Sequence, residues 1–310
     1  MAFTANLSGT AQIPNSIALA FDKQFLIAVG QNALMDQFVS EKMEIGAKSI
    51  QVSKYPRLAL ATTPLSETTD ITSVAISDSQ ILFTPAEYGN AVTRTQLASL
   101  QSAGKIDLAI PELVGINMGQ TQDQLALNAL AASTNVAFVN NKTTATLAVG
   151  DVMSSTFLNQ MYNKLARLNV PAFEGNAYVA VMHDDVINDL RGNVASGEWT
   201  DVSKYTGTVE NIFTNEVGMF RGFRIVRNNF AQYAQGTGGD LVDTYSSYFI
   251  GARSLAKVSS KEPTMVVTGP FDTLARTVNI GWYGVFTYGI LDTDAVWVGK
   301  SASSVGNNLA

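Results

Sequence analysis

The sequence predicts an α+β chain, and three observations carry that prediction. Helical spacing of apolar residues dominates residues 106–168. Val, Ile, Tyr, Phe and Trp concentrate after residue 176, with Gly breaks between the runs. Strands and helices therefore fall in separate blocks rather than in strict alternation. At 310 residues the chain is long enough for one large domain or two, with ample core and no need for staples.

The elements follow in order. Residues 1–20 carry no charge and read as a loosely held arm. Phe21, Phe25, Ala28, Val29 and Leu34 keep a three-to-four spacing, which predicts a helix over 21–45 closed by Gly46. Lys48–Lys54 alternates apolar with polar, as a half-exposed strand does. Thr62–Asp70, with Pro64 and two acids, reads as a loop tip. Alternation resumes at Val74, Ile76, Ile81 and Phe83, so residues 47–95 form a long two-stranded excursion. A lone hairpin of that length buries too little surface to stand alone and is expected to lie on another body.

Ile106, Ala109, Ile110, Leu113 and Ile116 are expected to share one face of the longest helix, 106–131, with a bend at Pro111. Gly115 and Gly119 are spaced for close backbone packing. Asp151 is expected to cap a helix over 152–168 that Pro171 ends. Tyr178–Met182 reads as a buried strand, Asp184–Arg191 as a short helix and Gly222–Arg227 as a strand. Tyr245–Val258 holds one or two more, and Thr264–Gly299 a long antiparallel meander.

Composition narrows function. Charged residues are 15%, against about 25% in a typical soluble chain. A surface so poor in charge desolvates readily and suits extensive protein–protein contact. Net charge of −6 argues against a dedicated nucleic-acid binder. With no cysteine, thiolate metal sites, disulfides and Cys nucleophiles are excluded. The single histidine, His183, forbids a metal site of several imidazoles. His183-Asp184-Asp185 reads better as a helix start, with carboxylates at free N–H groups. Gly299-Lys-Ser301 lacks the upstream glycine and following helix of a phosphate loop. Gly236–Asp240 reads as a plain loop, and Trp282, Tyr283, Tyr288 and Trp297 as core. No targeting or membrane-spanning segment is expected, since the apolar runs are too short. No constellation supports an enzyme, a cofactor or a metal. The cations Lys54 and Arg57 face the acids Glu67 and Asp70 across the loop, as a solvated surface or as inter-subunit ion pairs.

An ordered set of motifs then points to a family. Thr63-Pro-Leu-Ser-Glu67 resembles the turn of an extended loop, with Thr68 where glycine is usual. Glu87-Tyr-Gly-Asn90 with Val92-Thr93 resembles the loop's return to the body. Gly119-x-x-x-Asp123 and the Leu/Ala run after it resemble a spine helix. Val181–Arg191 resembles the strand-to-helix segment, with Asp184 where proline is common, and Asn215–Val226 is the most specific match. Together they resemble the HK97-type major capsid proteins of tailed bacteriophages, most closely the N4 branch. The resemblance implies an N-terminal arm with a short helix (1–45), an extended loop (46–91), a peripheral domain with the spine helix (92–150 plus 255–300), an axial domain (151–254) and a tail (301–310).

It further implies a non-enzymatic structural subunit that self-assembles into pentamers and hexamers of an icosahedral head around double-stranded DNA. That head would be built in the host bacterial cytoplasm, with scaffolding, portal and decoration proteins as partners and no cofactor. A shell of encapsulin type and a soluble α+β binding protein or enzyme are the rival readings.

Overall fold

The computed structural model describes residues 25, 27–29, 32–55, 58–65, 67–68, 70–71, 73–102, 105–173, 176–192, 213–269, 274 and 276–306. The strands are β1 Val39–Glu44, β2 Ile50–Lys54, β3 Ser79–Phe83, β4 Ala86–Thr95 and β5 Val136–Phe138. They continue with β6 Tyr178–Met182, β7 Glu216–Phe220, β8 Phe223–Arg227, β9 Tyr233–Ala234 and β10 Thr244–Ile250. The chain closes with β11 Leu255–Thr268, β12 Thr277–Ile290 and β13 Val296–Ser301. The α-helices are α1 Gln96–Gln101, α2 Lys105–Ala131, α3 Ser155–Arg167 and α4 Asp184–Gly192. The architecture is α+β, as expected.

Two main sheets organise the chain. One has four strands in the order β1-β11-β12-β4, and the other runs β5-β13-β10-β6-β8-β7, with β9 on β10. The second sheet is covered on both faces. Phe157, Leu158 and Leu165 of α3 and Val186, Ile187 and Leu190 of α4 pack on the face that carries Ala180, Met182 and Phe249. Met118, Leu127 and Leu130 of the spine helix α2 share a core with Val179, Val181 and Tyr248 on the other face and with Trp282 and Phe286 of the first sheet. Burial on both faces explains why Tyr178–Met182 is an unbroken apolar run instead of an alternating one.

Several expectations are corrected. The helix expected over 21–45 stops early: Met35–Phe38 is a 3₁₀ turn and 39–44 is a strand. β1 runs parallel to β11, with Val39 opposite Leu255, a pairing too distant in sequence for local spacing to reveal. The spine helix, by contrast, keeps close to its expected bounds, Lys105–Ala131 with Pro111 inside it. Its buried face is Ile110, Val114, Met118, Leu127 and Leu130, while Leu113 and Ile106 are exposed. Asp151 does not cap α3. Ser154 does, accepting from the Phe157 N–H, whereas Asp151 accepts from Asn140 and from the Ala148 N–H. The C-terminal third is a meander only through β11 and β12. β13 leaves it to pair with β10 and β5, so residues 296–300 and 136–138, grouped with the spine helix in the expected boundaries, join the larger sheet together with Ser301 of the expected tail. Trp282 and Tyr288 are core as expected, whereas Trp297 is half-buried under Lys164.

The glycine spacing on α2 has a steric cause. A Cβ on Gly115 would lie 2.7 Å from the Phe25 carbonyl oxygen, and one on Gly119 would lie 2.8 Å from Cβ of Asn32. The N-terminal segment therefore crosses the spine helix at backbone contact. Gly115→Ala is expected to lower stability by about 1–3 kcal/mol by overpacking, despite the roughly 1 kcal/mol that Ala gains in a helix interior. A urea unfolding curve checks it, and an unchanged or raised midpoint would contradict the contact.

Candidate assembly surface

The most exposed apolar part of the described chain is the excursion between β2 and β3. At its base the two strands pair antiparallel from Ile50 opposite Phe83 to Lys54 opposite Ser79. Phe83 is buried, with Ile50, Val52 and Ile81 packed beside it against Ala256, Val258 and Leu291. Gly289 leaves room for the Phe83 ring, which lies 2.3 Å from where a Cβ would stand. Lys54 then donates to Asp292 at 2.6 Å, tying the end of the ladder to the turn before β13. Two sheet-like faces and one ion pair thus fix where the excursion leaves the body.

Beyond Lys54 and Ser79 no strand pairing continues among the described residues. Leu58, Leu60, Leu65, Ile71, Val74 and Ile76 are all exposed, Leu60 to 88%. Tyr55, Leu58, Val74 and Ile76 line a cleft of ≈ 610 Å³ between the two arms. Exposed apolar clusters of this kind mark interaction surfaces in soluble proteins. Burying one such side chain is worth about 1.5–3 kcal/mol.

The four charged candidates fare differently. Lys54 is engaged within its own chain, at the base. Glu67 is exposed, and the exposed Asp70 accepts from the N–H of Ile71. Arg57 lies outside the described residues. Of the three described, Lys54 pairs with Asp292 rather than with Glu67 or Asp70. Leu58-Ala-Leu60 before the tip and Ile71, Val74 and Ile76 after it carry a further signal, since no strand pairing covers them.

Among the described residues, the titratable groups His183, Tyr245 and Lys300 are engaged within the fold. His183 Nδ1 accepts from the Asp185 N–H at 3.2 Å at the start of α4, so the histidine serves the helix start. Tyr245 donates to Asp185 at 2.8 Å, and burial first, then that carboxylate, raises its hydroxyl far above the ordinary phenol range. Lys300 lies beside Ser246 on the larger sheet, and burial lowers its ammonium pKa. Among the described residues no group of three or more acids and histidines could hold a metal. Among them, too, no helix is long and apolar enough to cross a membrane.

Known proteins give this arrangement a context. The chain is similar in fold to the capsid of Ralstonia phage GP4, at 14% identity over 85% of each chain with a TM-score of 0.70. It is similar to the capsid of cyanophage Pam1, at 9% identity over 98% of this chain and 96% of that one, TM-score 0.66. It is also similar to the virus-like particle of Pyrococcus furiosus, at 13% identity over 90% and 96%, TM-score 0.55. No curated protein matches the sequence. The phage capsid protein family model matches residues 78–299, from the residue before β3 into β13. With that match over most of its length and this α+β architecture, the chain belongs to the phage capsid protein family, as a structural major capsid protein of HK97-like fold.

Proposed function

We propose that this chain builds the icosahedral head of a tailed phage of the N4 branch, as pentamers and hexamers enclosing double-stranded DNA. The observation that carries the proposal is the anchored excursion with its uncovered apolar arms, in a chain that belongs to the capsid family. A fold that buries its own core yet leaves six large apolar side chains in water has a use for them only against another surface. In a closed shell that surface is a second copy, and repeated weak contacts close the lattice. The four-stranded sheet with the spine helix serves as the peripheral domain and the seven-stranded sheet as the axial domain. Net charge of −6 suits a wall that encloses DNA without gripping it. Scaffolding, portal and decoration proteins are the expected further partners, and assembly takes place in the host cytoplasm.

Electron microscopy of particles from cells expressing the chain tests this. Closed shells tens of nanometres across support it; only monomer-sized species, even with a scaffolding protein present, would contradict it. The likeness to the Pyrococcus furiosus particle favours one second reading, a protein compartment. Enclosed protein cargo in place of DNA would identify that. At the tip, Glu67→Lys with Asp70→Lys is expected to leave the monomer folded, since both sites are exposed, and to reduce shell yield. Normal shell yield would remove the tip charges from the contact.

A further inference from the structure

A cavity of ≈ 930 Å³ opens where the 3₁₀ turn, β1, β11 and the spine helix meet, away from the apolar arms of the excursion. Met118 and Pro263 give it an apolar wall. Its charged lining sets Asp36, Glu44 and Glu262 against Lys42 and Lys257, so the acids exceed the bases by one. Both lysines are already engaged. Lys257, 5% exposed, pairs with Glu262 at 2.9 Å, and Lys42 pairs with Asp36. Glu44 is exposed, and no cation among the described residues pairs with it. Two further polar groups of the lining are unmet. Asp36 Oδ1 is shielded from water and has no hydrogen-bond partner, with Lys257 standing 3.8 Å away. Gln122 is 4% exposed, and no hydrogen bond among the described residues holds its side-chain amide. Buried polar groups are normally hydrogen-bonded, so two unmet ones in one cavity mark a missing partner.

We propose that this cavity binds an alkylammonium group, with the head at Asp36, Gln122 and Glu44 and the methylene stem on Met118 and Pro263. The unmet groups offer a carboxylate oxygen and an amide oxygen, both acceptors. An ammonium brings three donors and no acceptor. Its charge balances the spare acid of the lining. An anion would face Glu44 and Asp36 with both lysines already paired. A divalent metal needs several oxygen ligands at once, and no cluster of acids and histidines among the described residues could hold one. A neutral apolar ligand would leave Asp36 Oδ1 and Gln122 unmet and drier still. The same chemistry has two sources: a free aliphatic diamine, or a lysine side chain of a second copy.

Titration of the full unassembled chain with 1,4-diaminobutane, followed by NMR, tests the site. Saturable shifts are expected at the Gln122 side-chain amide and at the Asp36 and Glu44 backbone amides, with Val179 in the larger sheet unmoved. 1,4-Butanediol, equally long but uncharged, and inorganic phosphate should leave those signals in place. Gln122→Leu removes an unmet polar group at similar volume, so the variant should be at least as stable as its parent. Its affinity for the diamine is expected to fall at least about tenfold, as for one lost hydrogen bond to a charged group. Should that variant not fold, Glu44→Gln alters an exposed side chain and is expected to weaken binding about threefold. In shells, diamine that stays bound through desalting identifies a free amine as the occupant. A cavity that takes diamine in the unassembled chain but not in shells identifies a lysine of the neighbouring copy. No saturable shift, equal shifts with butanediol, binding of phosphate instead, or unchanged affinity in the variants would overturn the site and leave a cavity of water. The titration uses no shells, so its failure leaves the capsid assignment untouched.

Discussion

Leu58→Asp combined with Val74→Asp is expected to abolish shell formation while leaving the monomer as stable as its parent. Both side chains line the cleft of the excursion and are mostly in water, Leu58 at 63% and Val74 at 75% exposed. Exposed substitutions of this kind usually shift stability by no more than about 0.5 kcal/mol. At a subunit contact the balance differs. Each apolar side chain loses about 1.5–3 kcal/mol of burial, so the pair loses about 3–6 kcal/mol per contact. Each 1.4 kcal/mol is a factor of about ten in association, so the contact weakens by more than about a hundredfold. Two buried carboxylates make it worse. Sedimentation of co-expressed material, beside a Leu58→Met, Val74→Ile control that keeps the surface apolar, reads the outcome. Shells at parental yield would show that the arms face solvent in the lattice as well.

The second large effect lies inside the fold. Arg224 of β8 donates to Glu216 of β7 at 2.8 Å, with the two side chains 7% and 0% exposed. Glu216 also accepts from the Phe213 N–H at 3.1 Å, closing the turn before the hairpin. Glu216→Ala strands a buried guanidinium and is expected to cost about 3–5 kcal/mol of unfolding free energy. Replacing both, as Glu216→Leu with Arg224→Met, removes the stranded charge and should recover most of that loss. Urea unfolding of the two variants makes the comparison. Equal losses in the single and double variants would mean that packing, not charge, dominates the site.

The parts of the fold that were legible from sequence share a physical feature: their signal is local. The spine helix was legible as a long apolar, helix-forming stretch, though its buried face was not, and α4 begins at the two aspartates that follow the strand. The strand Tyr178–Met182 is a short apolar run with nothing helical about it, and β2 alternates cleanly because one face lies on the body. Gly115 and Gly119 announced a close backbone approach, though not whose backbone. The candidate site was half legible. A projecting two-stranded excursion was readable, but its polar tip drew attention to Lys54, Arg57, Glu67 and Asp70. The apolar arms were in plain sight, yet an apolar residue in sequence carries no mark of whether it will be covered.

Sequence by itself thus determined the fold class, the absence of thiolate and multi-histidine chemistry, the excursion and the ordered motifs of a capsid chain. Tertiary structure alone decided the rest. It placed Val39–Glu44 in a parallel strand against Leu255–Ser259, carried β13 from the meander to the larger sheet and gave Lys54 an internal partner. It also buried Asp123 among backbone donors. Each of these joins residues far apart along the chain, where pairing depends on which surfaces the whole fold leaves free. Spacing within a window records which face of an element is apolar, and only the assembled core determines what that face meets.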